Sequence, residues 1–137
     1  MLDQTDLAIL ELLRQNARMQ WREIGEIVHL TGQAVGNRIR KMEEMGVIKA
    51  YTVTLDPQAM GPSVTALVTI YMKSPDHASF LQFIRRNASI HEAHRISGEG
   101  CYLLRVQVSN QDELNQLLDE ILHYANYRLH LSIGQVK

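Results

Sequence analysis

At 137 residues, with 45% apolar and 21% charged side chains, the chain is long enough to bury a core without covalent staples, as one large domain or two small ones. A lone cysteine, Cys101, excludes an internal disulfide framework. The net charge of −1, with seven basic and seven acidic side chains among residues 1–50, excludes nucleic-acid binding by bulk charge, so any such surface must arise from local segregation of acids and bases.

Leu2-Asp3-Gln4-Thr5-Asp6-Leu7 reads as a helix start. Asp3 can cap, Leu2 and Leu7 stand at staple positions, and Asp6 puts negative charge in the first turn. Leu7, Leu10 and Leu13, widened by Ile9 and Leu12, give an apolar side through about Asn16. Trp21 to Val28 predicts a second, short helix with Trp21, Ile24, Ile27 and Val28 at helical spacing. His29-Leu30 forms a turn, Thr31 is a good N-cap for a third helix, and Gly46 after Met45 is a C′ stop. Two short helices joined by such a turn have helix-turn-helix dimensions.

The third helix carries two faces. Val35, Ile39 and Met42 form an apolar stripe, while Ala34, Asn37, Arg38 and Lys41 line a side with small, amide and cationic groups and no carboxylate. Such a face can be a solvated flank or a surface that lies in a DNA groove. In the second case Gln33 and Asn37 suit adenine, and Arg38 suits guanine or a phosphate. Lys41, Arg22 and Lys49 suit sequence-blind phosphate contacts, and the helix start at Thr31-Gly32 leaves backbone N–H groups for a phosphate. Gly36 costs roughly 1 kcal/mol against alanine in mid-helix, so either a ligand or the packing of the second helix requires a close approach there.

Val47 to Leu55 is β-rich and is expected as a wing strand leading out of the head. Asp56-Pro57-Gln58-Ala59-Met60-Gly61-Pro62 places a hinge, giving a head over residues 1–50, a strand and hinge over 51–62, and a second domain over 63–137. In that domain Val64, Ala66, Val68, Ile70 and Met72 alternate with Thr65, Leu67, Thr69 and Tyr71 as a strand. Asp76 to about Ala88 is a helix with Phe80, Phe83 and Ile84 on one side. Ile90 to Ser97 is a more polar strand, and Tyr102 to Val108 alternates again. Asn110 to Tyr124 is an amphipathic helix through Leu114, Leu117, Leu118, Ile121 and Leu122. Tyr127, Leu129, Leu131 and Ile133 mark the last strand. The order βαββαβ predicts an α+β fold, a ferredoxin-like domain with helices on one face of an antiparallel sheet.

Catalytic and metal chemistry find little support. His91 and His94 lie three apart on a strand and point to opposite faces, and His123 and His130 fall in different elements. Cys101 has no base beside it, and no P-loop, dinucleotide fingerprint or nucleophile elbow is present. No enzyme activity, metal or cofactor is expected. The turn Ser97-Gly98-Glu99-Gly100-Cys101-Tyr102 is either a plain hairpin or a nest whose exposed N–H groups suit a small carboxylate. No apolar run reaches the ~20 residues of a membrane span, and the first residues are too polar for a signal peptide, so a soluble cytoplasmic protein with no membrane partner is expected.

Taken together, Leu2-Asp3, Asp6, Ile9-Leu10, Ile24-Gly25, the run Arg38 to Lys49 with Tyr51, and Ser97-Gly98 with Tyr102-Leu103-Leu104 resemble the Lrp/AsnC, or feast/famine, transcription regulators across essentially the whole chain. The resemblance implies a winged-type helix-turn-helix head and a ferredoxin-like domain that pairs subunits through its sheets. It also implies assembly of dimers, commonly into octamers, double-stranded DNA as partner, and an amino-acid effector near the glycine turn, at Gly98, Glu99, Gly100, Cys101 and Tyr102. The family opens its recognition helix with Ser-Pro, where Thr31-Gly32 stands here, and commonly has Asp before the turn's tyrosine, where Cys101 stands here. A regulator acting through several heads at once also fits the neutral charge, since effective concentration replaces single-head affinity. The competing reading is a small-molecule-sensing or assembly module with little DNA binding.

Overall fold

The computed structural model describes all 137 residues, which form two compact units, Met1–Thr54 and Leu55–Lys137. The first is three helices: α1 (Gln4–Gln15), α2 (Trp21–Val28) and α3 (Gly32–Glu44). Local chemistry sets their ends. Asp3 and Asp6 form a reciprocal capping box at the start of α1. The Thr31 hydroxyl accepts the Ala34 N–H at 3.1 Å to cap α3. Gly46, at φ +72°, closes α3 in a Schellman arrangement, with the Gly46 N–H on the Glu43 carbonyl and the Val47 N–H on the Met42 carbonyl, both at 2.9 Å.

The core of this unit is Ile9, Ile24, Val35, Ile39 and Met42. On α1 it is Ile9 that is fully buried, whereas Leu7, expected on the apolar stripe, is exposed. On α2 only Ile24 of the four expected residues is fully buried; Trp21 and Ile27 stay exposed and Val28 is half-buried. Three short helices enclose a narrow core, and each presents one central side chain to it or a few, not a broad stripe.

Val47–Leu55 forms no strand. This corrects the expected wing: the run has strand-like composition, but no segment of the chain pairs with it, and an isolated strand has no ladder to satisfy its backbone. A single 3₁₀ turn, Gln58–Met60, follows at the proline-rich stretch.

The second unit is β1 (Val64–Met72), α4 (His77–Arg86), β2 (Ile90–Arg95), β3 (Tyr102–Val108), α5 (Gln111–Ile121) and β4 (Ala125–Leu131). The sheet is antiparallel in the order β2-β3-β1-β4, the split βαββαβ arrangement expected. Alternation places Ala66, Val68 and Ile70 of β1 and Tyr102, Leu104 and Val106 of β3 on one face, beneath Phe80, Phe83, Leu114, Leu117 and Ile121 of the helices. The strand on β4 stops at Leu131, and Ile133 lies beyond it, exposed. A bulge between Ile90 and Glu92 takes His91 out of register and turns Glu92 to face Arg105. No helix is long and apolar enough to cross a membrane.

Candidate nucleic-acid interface and glycine turn

The link between α2 and α3 is three residues, and its tightness has two causes. His29 adopts the left-handed conformation at φ +61°, and its N–H and that of Leu30 both return to the Gly25 carbonyl. A Cβ on Gly25 would run into the Leu30 carbonyl oxygen, so only glycine lets the turn fold back against α2. Gly32 plays a similar part at the other side, where a Cβ would lie 3.3 Å from the Arg22 backbone nitrogen. The two helices are thus pressed together backbone to backbone.

Gly36 answers to packing within the head. The six-membered ring of Trp21, from the start of α2, occupies the place where a Cβ would stand. Trp21 as a residue is 43% exposed, and its ring carries the Arg40 guanidinium at 5.8 Å from the centroid, a cation–π contact. Arg40 in turn donates from Nη2 to Asn37 Oδ1.

The exposed face of α3 is therefore Gln33, Asn37, Arg40 and Lys41, with no acid before Glu43. Neither Arg40 nor Lys41 has a carboxylate partner. Ala34 and Arg38, expected on this face, are half-buried. Arg38 is turned to the start of α1, where Nη1 donates to Asp3 Oδ2 at 2.7 Å and Asp6 Oδ1 at 2.8 Å. Arg40 escaped the sequence reading, although its spacing, three beyond Asn37 and seven beyond Gln33, puts it on the same face. Thr31 is exposed with its hydroxyl committed to the cap. Arg22 lies 3.8 Å from Glu26 on the solvent side of α2, and Lys49 is exposed past the end of α3. At that end the Tyr51 hydroxyl donates to Glu43 Oε1 at 2.6 Å. Burial first, then the bond to Glu43, pushes the Tyr51 phenol up to about 12.

The glycine turn divides its residues between the two faces of the sheet. Gly98 and Gly100 stand at φ +102° and +96°, and a Cβ on Gly100 would meet Thr69 at 2.6 Å. The turn thus lies on the face without helices, held by the Cys101 N–H on the Ile70 carbonyl at 2.7 Å. Over that face Glu99 Oε1 accepts from Arg128 Nη1 at 2.8 Å and from the Tyr71 hydroxyl at 3.2 Å. Tyr102 points the other way. It is 2% exposed, its ring packs on Phe80, and its hydroxyl meets His77 Nδ1 at 2.7 Å and Arg95 Nη1 at 3.3 Å. Cys101 is half-buried against the core. The five expected residues do not converge on one pocket within a single chain, because consecutive strand residues point to opposite faces.

A family model described as an AsnC-type helix-turn-helix domain matches residues 2–43, and one described as the Lrp/AsnC ligand binding domain matches residues 65–137. The chain belongs to the Lrp/AsnC family. It is 54% identical over 136 residues to the transcriptional regulator LrpB of Bacillus subtilis, covering 99% of this chain and 91% of that protein. LrpA of the same organism is 32% identical over 136 residues, covering 98% and 100%. The structure of B. subtilis LrpC superimposes with a TM-score of 0.93 at 29% identity, over 100% of this chain and 98% of that one. The regulator NMB0573 of Neisseria meningitidis, determined with L-Met, shares the fold with a TM-score of 0.92 at 24% identity, over 100% and 93%. As a member of this family the chain is a helix-turn-helix transcriptional regulator, in a family of transcription factors.

Proposed function

We propose that this Lrp/AsnC regulator, in the cytoplasm, reads double-stranded DNA with the exposed face of α3, through Gln33, Asn37 and Arg40, and holds the phosphates with Lys41, Arg22, Lys49 and the N–H groups at Thr31-Gly32. The observation that carries this is a carboxylate-free amide and cation face at the exposed side of a rigidly packed helix-turn-helix. Trp21 supports it by holding the Arg40 guanidinium beside Asn37. Lys41→Ala should weaken binding to every duplex and reduce the salt slope by about one unit, whereas Asn37→Ala and Arg40→Ala should relax base preference. Shift assays across a salt series check this; wild-type binding by all three variants would remove α3 from the interface.

The regulator works as a symmetric oligomer, with dimers that assemble further into octamers. The helix-free face of the sheet supports this reading, since it exposes Leu67 (41%) and Leu103 (36%), which a second layer would cover. Each dimer then sets two α3 helices in successive major grooves, about 34–36 Å apart. Light scattering after size exclusion measures the assembly, and a monomer at micromolar concentration would overturn it.

An amino-acid effector at the glycine turn is supported by the ligand-binding family model over residues 65–137 and by the L-Met complex of NMB0573. Here Glu99, the carboxylate of that turn, is already engaged by Arg128. A zwitterion matches that pair, its ammonium on Glu99 and its carboxylate on Arg128. A thermal-shift screen of the common amino acids tests it, with loss of the shift expected for Arg128→Met. No shift at millimolar levels would leave a regulator without such an effector.

A further inference from the structure

Arg38 is the one cation of the head that meets two carboxylates, and the way it meets them is specific. In the capping box the Asp6 N–H donates to Asp3 Oδ1 at 2.8 Å and the Asp3 N–H donates to Asp6 Oδ2 at 3.0 Å. Each carboxylate keeps one oxygen spare. Arg38 Nη1 takes both spare oxygens, Asp3 Oδ2 at 2.7 Å and Asp6 Oδ1 at 2.8 Å. All four carboxylate oxygens are then bonded, and the mutual repulsion of two acids in one helical turn is offset by the cation between them. The Asp6 side chain is 13% exposed and that of Arg38 34%, so the pair is partly withdrawn from water and less screened than a surface ion pair. Bonding to Arg38, and then to the Asp6 N–H, holds the Asp3 carboxyl below the usual carboxylate range.

The contact spans 35 residues and joins the first turn of α1 to the middle of α3. Arg38 is the neighbour of Asn37 in sequence, so its tie to α1 adds a polar anchor to the rotation of α3 that burial of Val35, Ile39 and Met42 sets. That rotation decides where Gln33, Asn37, Arg40 and Lys41 point. A base or phosphate contact that drew Nη1 away would break both bonds at once and leave two unpaired carboxylates.

We propose that Arg38 is a positioning residue for DNA reading, and that Asp3 and Asp6 belong to the DNA-binding machinery without touching DNA. The proposal rests on α3 being the reading helix. Charge alone makes the opposite forecast for the acids, because removing a carboxylate from a DNA-binding head should tighten binding.

The test uses the full chain with short random-sequence duplexes, well below the melting temperature, with folding verified by circular dichroism. Asp6→Asn keeps an oxygen for the Asp3 N–H, so the cap survives while the charge is lost. Asp6→Asn and Arg38→Met should each weaken binding about tenfold, the size of a coupling between contacting residues. Both should leave the salt slope at its wild-type value, whereas Lys41→Ala lowers it by about 0.9. Tighter binding by Asp6→Asn would overturn the proposal, as would a slope lowered in Arg38→Met as far as in Lys41→Ala. Unchanged affinity in both clamp variants, with only the melting temperature reduced, would make the clamp a matter of stability alone and overturn it too. Wild-type chain that does not bind, with Lys41→Ala indistinguishable from it, would remove the reading role of α3 itself, a failure separate from these.

Discussion

The N-terminal unit buries five apolar residues in its core, and the C-terminal unit fifteen. The larger core is built by side chains, with alternating strand residues pressed against two amphipathic helices, so its geometry is spread over many interchangeable contacts. The smaller one depends on close approaches of backbone at Gly25 and Gly32 and of the Trp21 ring at Gly36, on caps at Asp3 and Thr31, and on the clamp at Arg38. A head held this way has few ways to absorb an error. Its single-residue determinants are therefore small or polar, where those of the sheet domain are large and apolar.

Phe80→Ala should show the largest effect, about 3–5 kcal/mol of destabilisation in denaturant unfolding followed by far-ultraviolet circular dichroism, because the ring is fully buried among Phe83, Tyr102 and Tyr124. Gly25→Ala adds one methyl group yet should cost the head about 3 kcal/mol, since the new Cβ must displace the Leu30 carbonyl. Trp21 is the only tryptophan, so its emission follows the head alone. A Gly25→Ala head as stable as wild type would break the contrast drawn between the units. Thr31→Ala should cost about 1 kcal/mol by the same emission, with weaker DNA binding from fraying of the first turn of α3.

The smallest effect is the pH response. The Asp3 carboxyl is held below its ordinary 3.8 by Arg38, so its contribution to stability is fully present above that value and is lost as pH falls below it. Acid titration of Trp21 emission should show the head weakening below about pH 4, with a shallower response in Arg38→Met. An identical acid response in that variant would mean that the pair adds nothing to the folded head.

What could be read from sequence was what depends on near neighbours. The caps at Asp3 and Thr31 and the stop at Gly46 act within one helical turn, and the alternation of Val64–Met72 and Tyr102–Val108 follows from the pleat. The whole βαββαβ order was therefore legible. The exposed face of α3 was legible only in part. Gln33, Asn37 and Lys41 lie on the exposed side as expected, while Ala34 and Arg38, expected beside them, are half-buried, because a helical wheel shows which residues share a side and not which side finds a partner. Leu7 misled for the same reason, as did Val47–Leu55, whose strand-like composition meets no second strand in the chain.

The sequence by itself thus determined the helices, the βαββαβ order and the family, since local propensity and period act over a few residues at a time. Tertiary structure alone decided that Gly36 serves Trp21, that Arg38 turns to Asp3 and Asp6, and that Glu99 and Tyr102 part to opposite faces of the sheet. Those outcomes depend on which surfaces meet. Arg38 meets acids more than thirty residues away in sequence, and the proximity that makes such a pair strong exists only after the helices have packed.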